Sequence, residues 1–229
     1  MELKGTKKVE IPYFLNQIEQ GTSESILIVG EVVAADQISK SLISKKCSNV
    51  TTTDIRERPI NGWLNTNTNW DHITQDFIEF DTNIKFDIII SVSIFEHFGF
   101  FWDKKSMFNN KDGIVDLVRW DHDIRGIEKS CMLLKDKNSK VIVTLPAGPY
   151  MNYNDDGYPI LRYYNKQRQN IVKKSVDELG YRFTDEKFYY TENFEDWSES
   201  DPEINEPRFY QLYNPYTPNV IWAFTIQKK

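Results

Sequence analysis

The chain has 229 residues, 40% of them hydrophobic and 27% charged, which suits one soluble α/β domain with a sizeable core. A net charge of −6 and a pI near 5.2 argue against a nucleic-acid partner, because phosphate-backbone binding draws on clustered Lys and Arg. No stretch approaches the ~20 apolar residues of a membrane span, MELKGTKKVE lacks the apolar core of a secretory signal, and Cys47 and Cys131 lie far apart, so a cytoplasmic protein without membrane contact is expected.

In chain order, a short amphipathic helix is predicted over about 11–20, stopping at Gly21. Strand SILIV runs from Ser25 to Val29 and ends at Gly30. Ala35, Ile38 and Leu42 then recur at helical spacing over 34–46. A second strand covers Asn49 to Ile55 (NVTTTDI), and 56–70, with Pro59, Gly62 and several Asn and Thr, reads as loop. A third strand near 71–75 leads to Asp76. Phe86 to Gly99, FDIIISVSIFEHFG, is the most informative segment. Its run Ile88-Ile89-Ile90 leaves no face for water, so it reads as a central strand of a parallel sheet covered on both sides. Leu117, Trp120, Ile124, Ile127, Cys131 and Leu134 line one face of a helix, and Lys140 to Leu145 (KVIVTL) forms the next strand. Asn165 caps a helix carrying Ile171, Val172, Val176 and Leu179, closed by Gly180, before strands near 181–190 and 219–227. This alternation predicts a Rossmann-like doubly wound α/β sheet, mostly parallel with an antiparallel last strand and helices on both faces. One domain spans 1–229, with insertions on the substrate side at about 150–164 and 191–218.

Chemistry is expected outside the carboxyl ends of the strands, where open α/β sheets bind ligands. Strand one, its loop, the helix after it and strand two form a βαβ unit, with Asp54 where an acid holds ribose hydroxyls. The loop reads Gly30-Glu31-Val32-Val33-Ala34-Ala35, one glycine where three are usual. Glu96 and His97 follow the central strand, and His97 suits a general base. The bland alternative has Glu96 capping or salt-bridging and His97 packing beneath the site. Two ligands are too few for a metal, and Ser93 stands where a further acid would help, so no metal is expected. His72 and His122 read as surface or strand-edge residues.

Together these segments resemble the class I S-adenosylmethionine-dependent methyltransferases, and within them uncharacterised small-molecule or glycan-type members. ILIVG at 26–30, TTTDI at 51–55, HITQDF at 72–77, FDIIISVSIFEHFG at 86–99 and KVIVTLPAGP at 140–149 carry the resemblance, over roughly residues 25–190. It implies S-adenosylmethionine as cofactor. Gly30 and Glu31 would pass its methionine part, Asp54 would hold the ribose and Ile55 would pack on adenine. Asp76 would take the adenine amine beside Phe77, and Ser91, Val92 and Ser93 would floor the sulfonium. Val32 departs from the usual glycine and Ile28 from the usual acid, so the loop is degenerate. A β-branched residue at a close-approach position pushes a ligand away unless the loop takes another path.

The resemblance implies methyl transfer to an oxygen or nitrogen of a small polar acceptor, with carbohydrate among the candidates. The alternative is an inactive methyltransferase-like binding or assembly module. Tyr150, Tyr153, Tyr158, Tyr163 and Tyr164 beside Asp155 and Asp156, and the acidic 191–218 stretch, suit a sugar, an amine or another polar small molecule. Read otherwise, these are a solvated acidic surface whose tyrosines cover the core or a homodimer contact.

Overall fold

Among the described residues eight strands make one mixed sheet, whose order, in chain numbering, is third, second, first, fourth, fifth, tenth, eighth and ninth. The computed structural model describes residues 3–30, 38, 40–55, 70–100, 119–148, 152–155, 158–193, 195–200 and 218–229. The strands are β1 (Ile26–Val29), β2 (Val50–Asp54), β3 (Asp71–Thr74), β4 (Ile88–Val92), β5 (Lys140–Pro146), β8 (Tyr181–Tyr190), β9 (Ser198–Ser200) and β10 (Val220–Lys228). A separate hairpin, β6 (Asn152–Asp155) and β7 (Tyr158–Arg162), stands apart from the sheet. The helices are α1 (Lys7–Asn16), α2 (His122–Met132) and α3 (Lys166–Glu178), with a further helical stretch over 40–44.

The first five strands of the sheet pair in parallel, and β10 runs antiparallel between β5 and β8. That is the expected arrangement. The core splits by alternation along the strands, because successive side chains leave a strand on opposite faces. Leu27, Val29, Ile89, Val141 and Val143 face one way and pack with Ile127 and Cys131 of α2 and Val172 and Val176 of α3. Ile26, Ile28, Ile88, Ile90 and Ile142 face the other way, onto Ile11, Tyr13 and Phe14 of α1 and onto Ile38 and Leu42. Ile88, Ile89 and Ile90 are each wholly buried, as a strand between two helical layers requires.

Several expectations are corrected. The first helix lies over Lys7–Asn16 rather than 11–20, and Pro12 sits inside it. Proline favours a first turn, but burial of Val9, Ile11, Tyr13 and Phe14 fixes the helix in this register despite the missing donor. Trp120 precedes α2 and is 47% exposed, packed edge-on against Phe100 rather than in the helix's buried face. Ile171 and Leu179 are also exposed, leaving Val172 and Val176 as the buried pair of α3. Asn165 does cap that helix, accepting from the Arg168 N–H, and Gly180 closes it with φ +82°. The 150–164 region holds the β6–β7 hairpin, and Tyr163 and Tyr164 after it are wholly buried. Those two rings are core, not an exposed platform: the Tyr164 hydroxyl donates to Asp123 at 2.7 Å and its ring packs on Trp222. Tyr150 and Asp156 lie outside the described residues, as does 201–217 of the acidic stretch.

Removing buried methyl groups from the central strand should cost far more than removing exposed ones. Ile90→Ala is expected to lose about 2–5 kcal/mol of unfolding free energy in urea titration. Ile84→Ala, 61% exposed, should stay within about 0.5 kcal/mol.

Candidate functional site

Strand order reverses between β1 and β4, and the crevice that forms there opens at their carboxyl ends. Gly30 leaves β1 with φ +73°, a conformation glycine adopts without strain. A Cβ at this position would lie 2.4 Å from Ile94, so the absent side chain also lets the loop after β4 close against the end of β1. One cavity occupies this edge. Gly30, Asp54, Ile55, Asp76, Phe77 and His97 all line it, together with Thr53, Ile94, Phe98 and Phe100.

The cavity's chemistry is mixed. Asp54 ends β2 almost buried, Asp76 sits exposed beyond β3, and Ile55, next after Asp54, has 56% of its surface open. Asp76 Oδ1 accepts from the Ile78 N–H at 2.9 Å, which ties the turn after β3. Phe77 is buried, stacked with Phe80 at 6.0 Å and packed on Phe95 and Phe98. The cavity therefore has an aromatic and aliphatic wall with carboxylates at its rim. Thr53 Oγ1, also in the lining, is buried without a partner among the described residues. Buried hydroxyls are normally paired, so this one fits a ligand that brings its own polar atoms.

The rest of the expected site lies elsewhere. Ser91 is wholly buried and Val92 packs in the α1-side core, so neither borders the cavity. Ser93 turns the chain out of β4 with φ +52°, its N–H bonded to Thr144 O at 3.0 Å and its hydroxyl donating to Glu10. Glu31, Val32 and Val33 lie outside the described residues. His122, expected at the surface, instead lines the cavity. Burial and the Arg125 cation hold its pKa below the usual histidine value. His72 bonds Thr52 through Nδ1 at 2.7 Å, between β2 and β3.

Behind His97 lies a buried polar cluster that pattern reading missed. Glu10 of α1 is wholly buried. Its Oε1 accepts from Ser93 and from Thr144 (2.7 Å), and its Oε2 pairs with Lys7 at 2.8 Å. Burial pushes the Glu10 carboxyl up, but the Lys7 charge and these hydrogen bonds outweigh it and hold the pKa low. Glu96, in the 3-10 turn Phe95–His97, is 3% exposed, with Oε1 3.9 Å from His97 Nε2. Burial, with the Glu10 charge adding to it, pushes this carboxyl up to about 8. Arg162, also buried, pairs with Asp123 at 3.0 Å beneath the Phe100 ring. Asp123 further binds Arg168 and Tyr164. The one sequence signal for Glu10 and Arg162 is a charge set inside an apolar run, VEIPYF and ILRYY. Among the described residues no three His, Cys, Asp or Glu side chains are grouped to hold a metal ion, and no helix is long and apolar enough to cross a membrane.

The two glutamates bend the stability profile in opposite senses. Glu10, held low, contributes stability above the ordinary carboxylate range and loses it as pH falls. Glu96 keeps its proton in the folded state, so its contribution is full below pH 4.5, its unperturbed value, and is lost as pH rises to about 8. The limiting slope is about 1.4 kcal/mol per pH unit. Glu96→Gln should therefore flatten the fall in urea-unfolding free energy across that window.

No protein-family model matches the sequence, and no curated protein sequence does. Solved structures do match the fold. An S-adenosylmethionine-dependent methyltransferase from Clostridium acetobutylicum is 10% identical, with a TM-score of 0.57 over 96% of this chain and 91% of that one. The 1,6-didemethyltoxoflavin-N1-methyltransferase of Burkholderia thailandensis, with bound 1,6-didemethyltoxoflavin and S-adenosylhomocysteine, is 12% identical at TM-score 0.56, covering 91% of this chain and 72% of that one. The N-methyltransferase NodS of Bradyrhizobium japonicum, in complex with S-adenosylhomocysteine, is 12% identical at TM-score 0.50, over 90% and 79%. The chain has the fold of the class I S-adenosylmethionine-dependent methyltransferases.

Proposed function

We propose that this protein transfers a methyl group from S-adenosylmethionine to an oxygen or nitrogen of a small polar acceptor. The observation that carries this reading is convergence. Residues that the resemblance assigns to the cofactor come together from three separate segments: Gly30, Asp54, Ile55, Asp76 and Phe77 line one cavity, and His97 lines it too.

Each residue's part follows from its chemistry. Asp54, nearly buried, offers carboxylate oxygens to paired ribose hydroxyls, and Ile55 gives the adenine a flat apolar contact. Asp76 accepts from the adenine amine beside Phe77. Gly30, with Glu31 after it, lets the methionine portion approach backbone closely. Ser91 to Ser93 belong to the floor at the end of β4, as the strand and turn that set its height rather than as cavity lining. When bound, the cofactor supplies an electrophilic methyl group. The protein's task is then alignment of a nucleophile with it, which accounts for a large share of the rate in such displacements. His97, at the cavity wall and close to Glu96, is the side chain placed to orient the acceptor or receive its proton.

The cavity sets Asp54, Asp76, His97 and His122 beside Phe98 and Phe100, mixing polar with aromatic groups. That lining suits a small polar molecule, a sugar derivative among them, in a cytoplasmic setting; a homodimer could complete the acidic face.

Calorimetric titration with S-adenosylmethionine and S-adenosylhomocysteine tests the reading. Both should bind, and Asp54→Ala should weaken binding by about 1–3 kcal/mol through loss of a buried acceptor. No heat of binding at millimolar ligand would contradict the enzyme reading and favour an inactive binding module. Unchanged affinity in Asp54→Ala would refute the ribose assignment.

A further inference from the structure

His122 opens α2 and lines the cofactor cavity together with Asp76, Gly99 and Phe100. Close packing of backbone brings it there. The Arg119 N–H donates to Gly99 O at 3.0 Å. A Cβ on Gly99 would lie 1.8 Å from Arg119 O and 3.1 Å from His122 Cβ. Any side chain at position 99 would therefore push the start of α2, and His122 with it, away from the turn after β4.

The tautomer of His122 follows from its neighbour. Arg125 Nη1 lies 3.3 Å from His122 Nε2, and a guanidinium can only donate, so Nε2 accepts. A neutral imidazole carries one proton, which then sits on Nδ1. That N–H has no partner among the described residues. The surroundings keep the ring neutral. Burial first, then the Arg125 and Arg119 cations, push its pKa below the usual histidine value, and the opposing pull of Asp121 and Asp76 is weaker.

Asp76 presents the complementary group. Its Oδ1 is taken by the Ile78 N–H at 2.9 Å, which leaves Oδ2 to accept from a ligand. Both side chains border one cavity, and the Asp76 charge is felt at the His122 ring. A carboxylate oxygen paired with an N–H matches a ligand edge that sets a donor beside an acceptor. Adenine has such an edge on each side of its amine, one ending in N1 and the other in N7. Ile55, Phe77 and Phe98 in the same lining offer apolar surface to the base.

We propose that His122 is a specificity-determining residue for the cofactor's base, its Nδ1–H donating to a ring nitrogen beside the amine that Asp76 receives. The proposal rests on the methyl-transfer reading above and adds a second reader of adenine to it. Asp76 alone selects only for the amine. With His122 the site also demands the neighbouring nitrogen, because a base without it leaves the imidazole N–H unpaired inside the cavity.

The test is calorimetric titration of the full chain with S-adenosylhomocysteine and with two analogues of it in which N1 or N7 is replaced by C–H. In wild type at least one analogue should bind about tenfold more weakly, the scale of one hydrogen bond whose donor is left unpaired. That gap should close in His122→Phe, which keeps a ring without the donor, and in His122→Leu. His122→Asn should keep most of it, because its amide nitrogen stands near the place of Nδ1 and can donate. Equal affinity for all three ligands in wild type overturns the assignment. So does a gap unchanged in both His122→Phe and His122→Leu, or one lost equally in His122→Asn, which marks lost packing rather than a lost donor. In each of these cases S-adenosylhomocysteine still binds wild type, so the methyl-transfer reading stands. If S-adenosylhomocysteine fails to bind wild type, both readings fall together.

Discussion

A left-handed serine sets the geometry of this site. β4 is paired on both edges and buried on both faces, so its end has one way out, through Ser93 at φ +52°. A non-glycine residue in that region costs roughly 1–2 kcal/mol. Two bonds offset it, one from the Ser93 N–H to Thr144 O and one from its hydroxyl to Glu10. The turn then throws Ile94 against Gly30 and His97 into the cavity wall, with Glu96 behind. Without the Glu10 carboxylate of α1, Ser93 and Thr144 would both lose their side-chain acceptor. The N-terminal helix is thus part of the site, although it supplies no cavity residue.

Electrostatic commitment separates structural acids from available ones. Glu10 and Asp123 are buried because each is matched by cations and several hydrogen bonds, the condition under which a buried charge is tolerable. Asp54 and Asp76 stand at the cavity rim, where carboxylates can meet hydroxyl or amine donors. Glu96 belongs to neither group. It is as buried as the structural acids yet lacks their partners, and its raised pKa follows from that combination.

How much of this was legible in the sequence depends on the type of signal. β1, β4 and β5 each hold an apolar run of three or more residues, ILIV, III and VIV, a pattern that sheet burial on both faces produces directly. Asp54 and Asp76 could be placed because strand ends in such sheets point at the crevice. The hairpin β6–β7 was hidden because its tyrosines and aspartates read as loop, and Tyr163 and Tyr164 turned out to be core. The helix expected over 11–20 lies about a turn earlier, at Lys7–Asn16, where burial of the side chains flanking Pro12 outweighs its missing donor. Glu10, Arg162 and the unspent oxygen of Glu96 could not be foreseen from spacing. They meet across 152 residues of chain, from position 10 to position 162, and only tertiary packing brings them together.

The central claim is that the crevice between β1 and β4 is a cofactor site. Hydrogen–deuterium exchange with and without S-adenosylhomocysteine addresses it residue by residue. Slowed exchange is expected in the amides of Thr53 to Ile55, Gln75 to Ile78 and Ile94 to Phe100, which border the cavity from three strand ends. Unchanged exchange in all three segments, or protection confined to the β8–β9 edge, would contradict the account.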